Sequence, residues 1–241
     1  MLEAFIDAPL RHSALTVFPV IAPHGPVLPY LLTTEIHDEG ILTLRERGDA
    51  EEPMLLARNN SLHPILMLAG EPLPGGNRGR VLERSILLRG KSVTQLPSPS
   101  TESGGWVTPE QEAEITEWLQ SFPVVKHQVG LLACLEDRIL GLEALGSENL
   151  YAPLHRRLLI RFMKKALSFP LGEPADLSYL EGEAQKMVDA IEEAERVAGK
   201  RVGVGEYRLL RGPVTGAELL HQGHLVHLSV HPTKVKAVST Q

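Results

Sequence analysis

Short apolar runs separated by turn residues dominate the first half of the chain. In these runs hydrophobic residues are continuous or alternate with polar ones, and Gly, Pro, Asn or Asp stand near most of their ends, which predicts β-strands. Residues 30–38 instead have a weak helical pattern. The predicted strands of this half are residues 15–22, 41–46, 54–57, 65–69, 81–88 and 92–96.

The second half mixes helical periodicity with further strands. A helix is predicted from Pro109, with Thr108 as its N-cap, to residue 122, because apolar residues recur there on one face. Residues 149–168 and 180–198 are predicted to be longer helices. The strands predicted here are a hairpin of residues 129–135 and 139–145, followed by residues 202–210, 216–220 and 225–230.

This order of elements lacks the regular alternation of strand and helix that a parallel sheet requires. It favours an α+β fold of mainly antiparallel β-sheets with an inserted block of about three helices. We expect a single domain over residues 1–241. Its parts are a β-rich region 1–106, a helical block with a hairpin 107–200, C-terminal strands 201–232 and a tail 233–241.

Composition narrows the function classes. The 241 residues are 43% hydrophobic, enough for a substantial core, and the net charge of −6 argues against a nucleic-acid partner bound by broad electrostatic attraction. The single cysteine, Cys134, excludes an intrachain disulfide and lies in an apolar run, where an inert core thiol is expected. No secretory signal or long apolar segment is present, so we expect a soluble cytoplasmic protein without a membrane partner.

Gly70 and Glu71 follow the apolar run 65–69 directly. A carboxylate at the end of a strand can be partly buried, which raises its pKa and suits it to acid–base catalysis. The alternative is a glutamate that only accepts hydrogen bonds from backbone N–H groups of the following loop. Glu71 is therefore a candidate catalytic residue with a structural alternative.

The loop after Glu71 combines glycines with arginines. Exposed backbone N–H groups and guanidinium groups together can hold a phosphate or a carboxylate. The loop is neither a Walker A motif nor a dinucleotide-binding fingerprint, and the alternative is a flexible turn that needs glycine. The candidate ligand-binding residues here are Gly75, Gly76, Asn77, Arg78 and Arg80.

Glu102 and Trp106 form a third candidate, an acid close to an aromatic ring that can stack on a base. The alternative is a solvated acid and a tryptophan of the core. If Glu71 and Glu102 converge, they could activate a water molecule or hold a divalent cation. The sequence identifies no cofactor, and Mg²⁺ is the candidate that such a pair would hold.

Two other groups of residues receive structural interpretations. Four histidines, at positions 221, 224, 227 and 231, cannot all converge, because alternating strand positions face opposite sides, so we interpret them as residues of an edge strand. The basic residues of the helix 149–168 are interpreted as a solvated face, with anion binding as the alternative.

The stretch around Glu71 resembles the ARG-and-rhodanese-phosphatase-superfamily-associated protein domain family. Further similar cues are residues 129–133, Gly141-Leu-Glu143 and His227-Leu-Ser229. The chain departs from the family pattern at Arg78-Gly79, Ser100 and Gly105. The residues that match the central motif are Gly70, Glu71, Leu73, Gly75, Arg80, Glu102 and Trp106.

The resemblance implies a role near ADP-ribosylglycohydrolases and rhodanese-like phosphatases. The hypothesis is a protein that binds or processes an ADP-ribose- or NAD-derived nucleotide. Arg78 and Arg80 would hold the pyrophosphate, Trp106 would stack on adenine, and Glu71 and Glu102 would contact ribose or act as the acid–base pair of a hydrolase. The alternative is a non-catalytic interaction or sensor module with a structural Glu/Arg/Gly loop. The sequence leaves the oligomeric state open.

Overall fold

The structure, a computed structural model, describes residues 4–36, 38, 40–47, 54–73, 81–97, 109–168 and 172–233. In these ranges the helices are α1 (Pro109–Gln120), α2 (Glu148–Leu167) and α3 (Leu177–Glu193), and Thr33–Glu35 form a 3₁₀ turn. The strands are β1 (Phe5–Ile6), β2 (Leu10–His12), β3 (Leu15–Ile21), β4 (Leu31–Leu32), β5 (Leu42–Arg47), β6 (Met54–Asn59), β7 (Ile65–Met67), β8 (Ile86–Leu88), β9 (Ser92–Gln95), β10 (Gln128–Leu135), β11 (Arg138–Leu145), β12 (Glu195–Ala198), β13 (Glu206–Arg211), β14 (Val214–His221) and β15 (His224–Pro232).

A large antiparallel sheet organises the fold. Its strand order is β1-β3-β10-β11-β15-β14-β13-β12, and β2 pairs with β3 beside this path. The β10–β11 and β14–β15 hairpins lie at its centre. The turn between β14 and β15, Gln222-Gly223, has positive φ at both residues (52° and 80°), as a tight two-residue hairpin turn requires. Because β15 lies between β11 and β14 in the strand order, it is an inner strand. The interpretation of its histidines as edge-strand residues is therefore wrong.

Two smaller sheets lie outside the large one. One has the order β4-β7-β8, with β4 parallel to β7, and the other has the order β5-β6-β9. Buried residues of β6, β7 and β8 form a hydrophobic cluster shared by the two small sheets. Leu66 and Leu87 instead join the cluster beneath α1 and α2, so the small sheet of β7 and β8 is tied to the main core.

The large sheet is covered by helices on both faces. Alternate residues of β10 belong to different hydrophobic clusters, because successive side chains of a strand point to opposite faces. Leu131 and Ala133 share a cluster with α2, whereas Leu132 and Cys134 share one with α3. Cys134 is fully buried, and burial raises its thiol pKa to about 12, consistent with the expected inert core residue.

The α+β class and the mainly antiparallel sheets are confirmed. Two element assignments are wrong. Of residues 81–88, only 86–88 form a strand, and Val81 makes an isolated bridge to Pro72. Residues 195–198 are not the end of a helix but strand β12, which pairs with β13. Arg196 donates to the carbonyl groups of Ile191 and Glu192 in the last turn of α3 and to that of the C-cap residue Ala194, and so satisfies acceptors at the end of the helix.

The weak helical pattern of residues 30–38 also gives little helix. The chain forms the short strand β4, which is hydrogen-bonded to β7, and then the single 3₁₀ turn at residues 33–35. Pairing with a buried strand therefore overrides a weak local preference. In the part of the chain that the structure describes, no helix has both the length and the apolar character of a transmembrane segment.

Candidate functional site

The backbone around Gly70 and Glu71 forms a tight turn after strand β7. Gly70 has φ of +79°, a conformation that glycine adopts without strain, and its N–H donates to the Leu82 carbonyl at 2.6 Å. The Leu82 N–H in turn donates to the Glu71 carbonyl at 2.9 Å. Pro72 and Val81 form a bridge next to these bonds. The turn is held at several points, so the position of the Glu71 side chain is well defined.

Glu71 is buried, with 4% of its surface exposed. Its Oε1 accepts a hydrogen bond from Thr33 Oγ1 at 2.7 Å and another from Arg157 Nη1 at 3.1 Å. Burial raises the pKa of Glu71, and the charge of Arg157 and the Thr33 hydroxyl lower it without cancelling that effect. Glu71 is therefore a carboxyl group that takes up a proton more readily than usual.

A second buried glutamate, Glu143, lies in the middle of β11. Its Oε1 accepts from Ser229 Oγ at 2.9 Å and lies 3.3 Å from Arg161 Nη1. Its Oε2 lies 2.8 Å from His227 Nε2. Burial acts to raise the pKa of Glu143, but His227, Arg161 and Ser229 together outweigh burial, so its pKa is lowered. Glu143 is therefore held as a carboxylate.

His227 connects Glu143 to the Glu71 turn. Its Nδ1 lies 2.8 Å from Ser85 Oγ, which also accepts the N–H of Ala69 at 3.0 Å. The Glu143 carboxylate can only accept, so we assign the proton of the neutral His227 ring to Nε2, and Nδ1 then accepts the hydroxyl proton of Ser85. The hydrogen bonds thus run from Glu143 through His227 and Ser85 to Ala69, the residue before Gly70.

Helix α2 contributes one arginine to each of the two glutamates. Arg157 and Arg161 are four residues apart and so lie on the same face of the helix, one turn from each other. Arg157 contacts Glu71 and Arg161 contacts Glu143, yet 31% and 38% of the two side chains remain exposed. The interpretation of this helix face as simply solvated is wrong at both positions. We call Glu71, Glu143, Arg157, Arg161 and His227 the Glu–Arg cluster.

The predicted site residues are only partly covered by the structure. Glu71 is a member of the Glu–Arg cluster, and Gly70 lies in the turn that positions it. The other predicted residues, including the second acid Glu102, lie outside the described residues, so their convergence with Glu71 stays a prediction. These residues are Gly75, Gly76, Asn77, Arg78, Arg80, Glu102 and Trp106.

Sequence reasoning missed most members of the cluster. Glu143 is a charged residue inside an otherwise apolar strand, and such an acid needs a buried partner, which was a usable signal. Gly141-Leu-Glu143 and His227-Leu-Ser229 were already noted as family cues. Within the described ranges, no group of three or more His, Cys, Asp or Glu side chains is arranged to hold a metal ion.

The sequence matches a known protein family. The family model described as "ARG and Rhodanese-Phosphatase-superfamily-associated Protein domain" matches residues 3–112 and 107–231. Comparison with curated proteins and with solved structures gives no match. The two family matches together span most of the sequence and include every residue of the Glu–Arg cluster. The chain therefore belongs to the ARG and Rhodanese-Phosphatase-superfamily-associated Protein domain family.

Proposed function

We propose that the protein binds an ADP-ribose- or NAD-derived nucleotide at the Glu–Arg cluster and that Glu71 serves as an acid–base group for hydrolysis of that nucleotide. The observation that carries this proposal is the contact between Glu71 and Arg157. It places a carboxyl group that accepts protons readily beside a guanidinium group that reaches solvent. The family description, with its reference to ARG proteins, supports the same ligand class.

The two arginines are suited to a diphosphate. Guanidinium groups bind phosphate oxygens through several N–H donors in a fixed plane. Arg157 Nη1 donates a hydrogen bond to Glu71, whereas Arg161 Nη1 is in an ion pair with Glu143 at 3.3 Å without a hydrogen bond. Because they are one helical turn apart and partly exposed, adjacent phosphate groups of a nucleotide can contact both.

Charge balance is the main argument against this site, since each arginine already contacts a carboxylate. At Arg157 the raised pKa of Glu71 weakens this objection, because it lowers the cost of protonating Glu71, and a protonated Glu71 would leave the charge of Arg157 available to an anion. A protonated carboxyl group beside a bound phosphate is also a general acid for a leaving oxygen. Anion binding and proton uptake at Glu71 therefore favour each other.

The arginine-containing loop predicted to bind pyrophosphate begins and ends beside Glu71. The Pro72–Val81 bridge brings the chain on the two sides of residues 74–80 together, directly after Glu71 in the sequence. Arg78 and Arg80 lie outside the described residues, and their role remains a prediction from the sequence. The same holds for stacking by Trp106 and for acid–base chemistry by Glu102.

A thermal-shift titration tests the binding proposal. The ligands are NAD, ADP-ribose, ADP and inorganic phosphate, each with and without Mg²⁺. A ligand at about 100-fold its Kd adds about 2.7 kcal/mol to the free energy of unfolding, which is a readily measured shift. We expect the shift with ADP-ribose to be lost in Arg157→Ala and in Arg80→Ala.

Arg156→Ala is the matched control. Arg156 is the neighbour of Arg157 on α2 and carries the same charge, but it is exposed. The control should keep the full response to ADP-ribose. Equal responses of the Arg156 and Arg157 variants, or no response of the wild-type protein to any ligand, would contradict the proposal.

A second candidate function is a non-catalytic interaction or sensor module. One observation favours it: each arginine of the cluster contacts a buried carboxylate, as expected of a latch between helix α2 and the sheets. Glu71→Gln separates the two. A catalytic Glu71 predicts lost turnover with stability near that of the wild type, whereas a latch predicts a loss of about 1–3 kcal/mol in the free energy of unfolding.

A further inference from the structure

We infer that Ser85, His227 and Glu143 form a second reactive centre, in which Ser85 is the nucleophile for transfer of an acyl group from a carboxylic ester to water. This centre shares Glu143 and His227 with the Glu–Arg cluster, but its reaction differs from the proposed nucleotide chemistry, in which Glu71 is the acid–base group. It rests on its own geometry and does not require that the protein bind a nucleotide.

The geometry is that of an activated serine. Ser85 Oγ lies 2.8 Å from His227 Nδ1, and His227 Nε2 lies 2.8 Å from Glu143 Oε2. A nucleophile within hydrogen-bond reach of a base, with the base oriented by a third group, is the signature of nucleophilic catalysis. The two ring nitrogens exchange their partners relative to serine proteases. Here the serine contacts Nδ1 and the carboxylate contacts Nε2, whereas in those enzymes the serine contacts Nε2 and the carboxylate contacts Nδ1.

The proton positions suit the reaction. The Glu143 carboxylate can only accept, so the neutral His227 ring carries its proton on Nε2. Nδ1 is then left to accept the Ser85 hydroxyl proton, while Ser85 Oγ accepts the Ala69 N–H at 3.0 Å. Glu143 also accepts from Ser229 and lies against Arg161, which keeps it ionised. An ionised carboxylate fixes the tautomer of the histidine and stabilises the imidazolium that forms when the histidine takes the serine proton.

Each residue comes from a different place in the chain. Ser85 directly precedes β8 of a small sheet, whereas Glu143 and His227 lie on the adjacent central strands β11 and β15. The contact between the sheets is a directional Ser–His–Glu chain, and its acid is the buried residue with the lowered pKa.

Access to Ser85 is the physical requirement, because 4% of its surface is exposed. Ala69, which donates to Ser85, is followed by Gly70, whose missing Cβ would lie 3.5 Å from Arg161 Cζ. Arg161 is a long side chain and is 38% exposed. We therefore place the entrance along Gly70, beside the exposed part of the Arg161 side chain.

The acyl-transfer step balances with water as the only co-reactant. The Ser85 oxygen bonds to the ester carbon as its proton passes to His227 Nδ1. The ester C–O bond then breaks, and the leaving alkoxide takes that proton. Water next attacks the acyl-serine and gives a proton to His227, which returns it to Ser85 Oγ as the carboxylic acid leaves.

A fluorophosphonate probe tests the nucleophile without knowledge of the natural ester. Attack by Ser85 forms an O–P bond and releases fluoride, and peptide mass spectrometry locates the adduct. We expect Ser85 to be modified in the folded wild-type protein. Ser147 is an internal control, because its hydroxyl is buried and lacks a hydrogen-bond partner in the described structure. His227→Gln should slow the modification by roughly 10²- to 10⁴-fold.

Absence of an adduct at Ser85 in the folded wild-type protein, under conditions that label an established serine hydrolase, would overturn the inference. An equal rate of labelling at Ser85 and Ser147 would do the same. Both outcomes are read from the wild-type chain, so they stand even if the His227 variant fails to fold.

Ser85→Cys tests access separately. The chain has one natural thiol, Cys134, which is fully buried and whose pKa is raised to about 12. Iodoacetamide should therefore alkylate the introduced thiol in the folded protein and leave Cys134 unmodified. An introduced thiol no more reactive than Cys134 would contradict the proposed entrance, because no route from solvent would then reach the position.

Discussion

Glu71 and Glu143 are both buried glutamates that contact an arginine of helix α2, yet their environments act in opposite directions. Glu71 lies in a turn and accepts hydrogen bonds from Thr33 and Arg157, and burial leaves its pKa raised. Glu143 lies inside the central sheet among His227, Ser229 and Arg161, and its pKa is lowered. The number and kind of donors, not burial alone, decide which carboxyl group stays ionised.

This difference assigns different roles to similar residues. A carboxyl group that gains and loses a proton easily is suited to acid–base chemistry, whereas a permanently ionised one is suited to holding a histidine or an arginine in place. The two groups are joined through adjacent arginines of α2 and through the Ser85–Ala69 contact. A substitution of one glutamate should therefore alter the contacts and the pKa of the other.

The largest effect should come from Glu143→Ala. It leaves His227, Ser229 and Arg161 without their shared acceptor, and a buried donor left without its acceptor costs about 1–3 kcal/mol. Denaturant unfolding measures the loss. The matched control is Glu148→Ala at the exposed pair with His127, which should change stability by less than about 1 kcal/mol. Similar losses in the two variants would refute the central role of Glu143.

A smaller difference is expected between the coupling energies of two pairs in the Glu–Arg cluster, Glu143 with His227 and Glu71 with Arg157. Double-mutant cycles should give a larger coupling energy for Glu143 with His227 than for Glu71 with Arg157, within the range of about 0.5–3 kcal/mol found for contacting residues. The physical reason is that His227 is buried, whereas 31% of the Arg157 side chain is exposed to solvent and its charge is screened. A larger coupling for Glu71 with Arg157 would reverse the comparison.

The finest test is the pH dependence of unfolding in Glu71→Gln and Glu143→Gln. Glu71 has a folded pKa above its usual 4.5, so its contribution is present below 4.5 and is lost as pH rises through the raised value. Glu143 has a folded pKa below 4.5, so its contribution is present above 4.5 and is lost as pH falls through the lowered value.

The stability advantage of the wild type over each variant should therefore change with opposite slopes. Relative to Glu71→Gln it should shrink as pH rises above 4.5, and relative to Glu143→Gln it should shrink as pH falls below 4.5. Chemical denaturation at a series of pH values measures both slopes. Slopes of the same sign would show that the two carboxyl groups do not differ in the way proposed.

Local patterns in the sequence were enough for the class of fold and for one member of the cluster. Alternation and turn residues predicted most strands, the 129–145 hairpin and the helices, because side-chain period and turn chemistry are local properties. The position of Glu71 after an apolar run and a glycine indicated an acid that can be partly buried, and its observed exposure is 4%. Even the β14–β15 turn followed from Gln222-Gly223.

The tertiary structure alone decided the partners of Glu71. Arg157 is 86 positions away in the sequence, and Glu143 and His227 are 84 positions apart. Periodicity placed Arg157 and Arg161 on a polar helix face but did not reveal that this face lies over two carboxylates. It also could not show that β15 is an inner strand that buries His227. Such contacts depend on which strands pair and on where a helix packs, and these are set by the whole core rather than by any one segment.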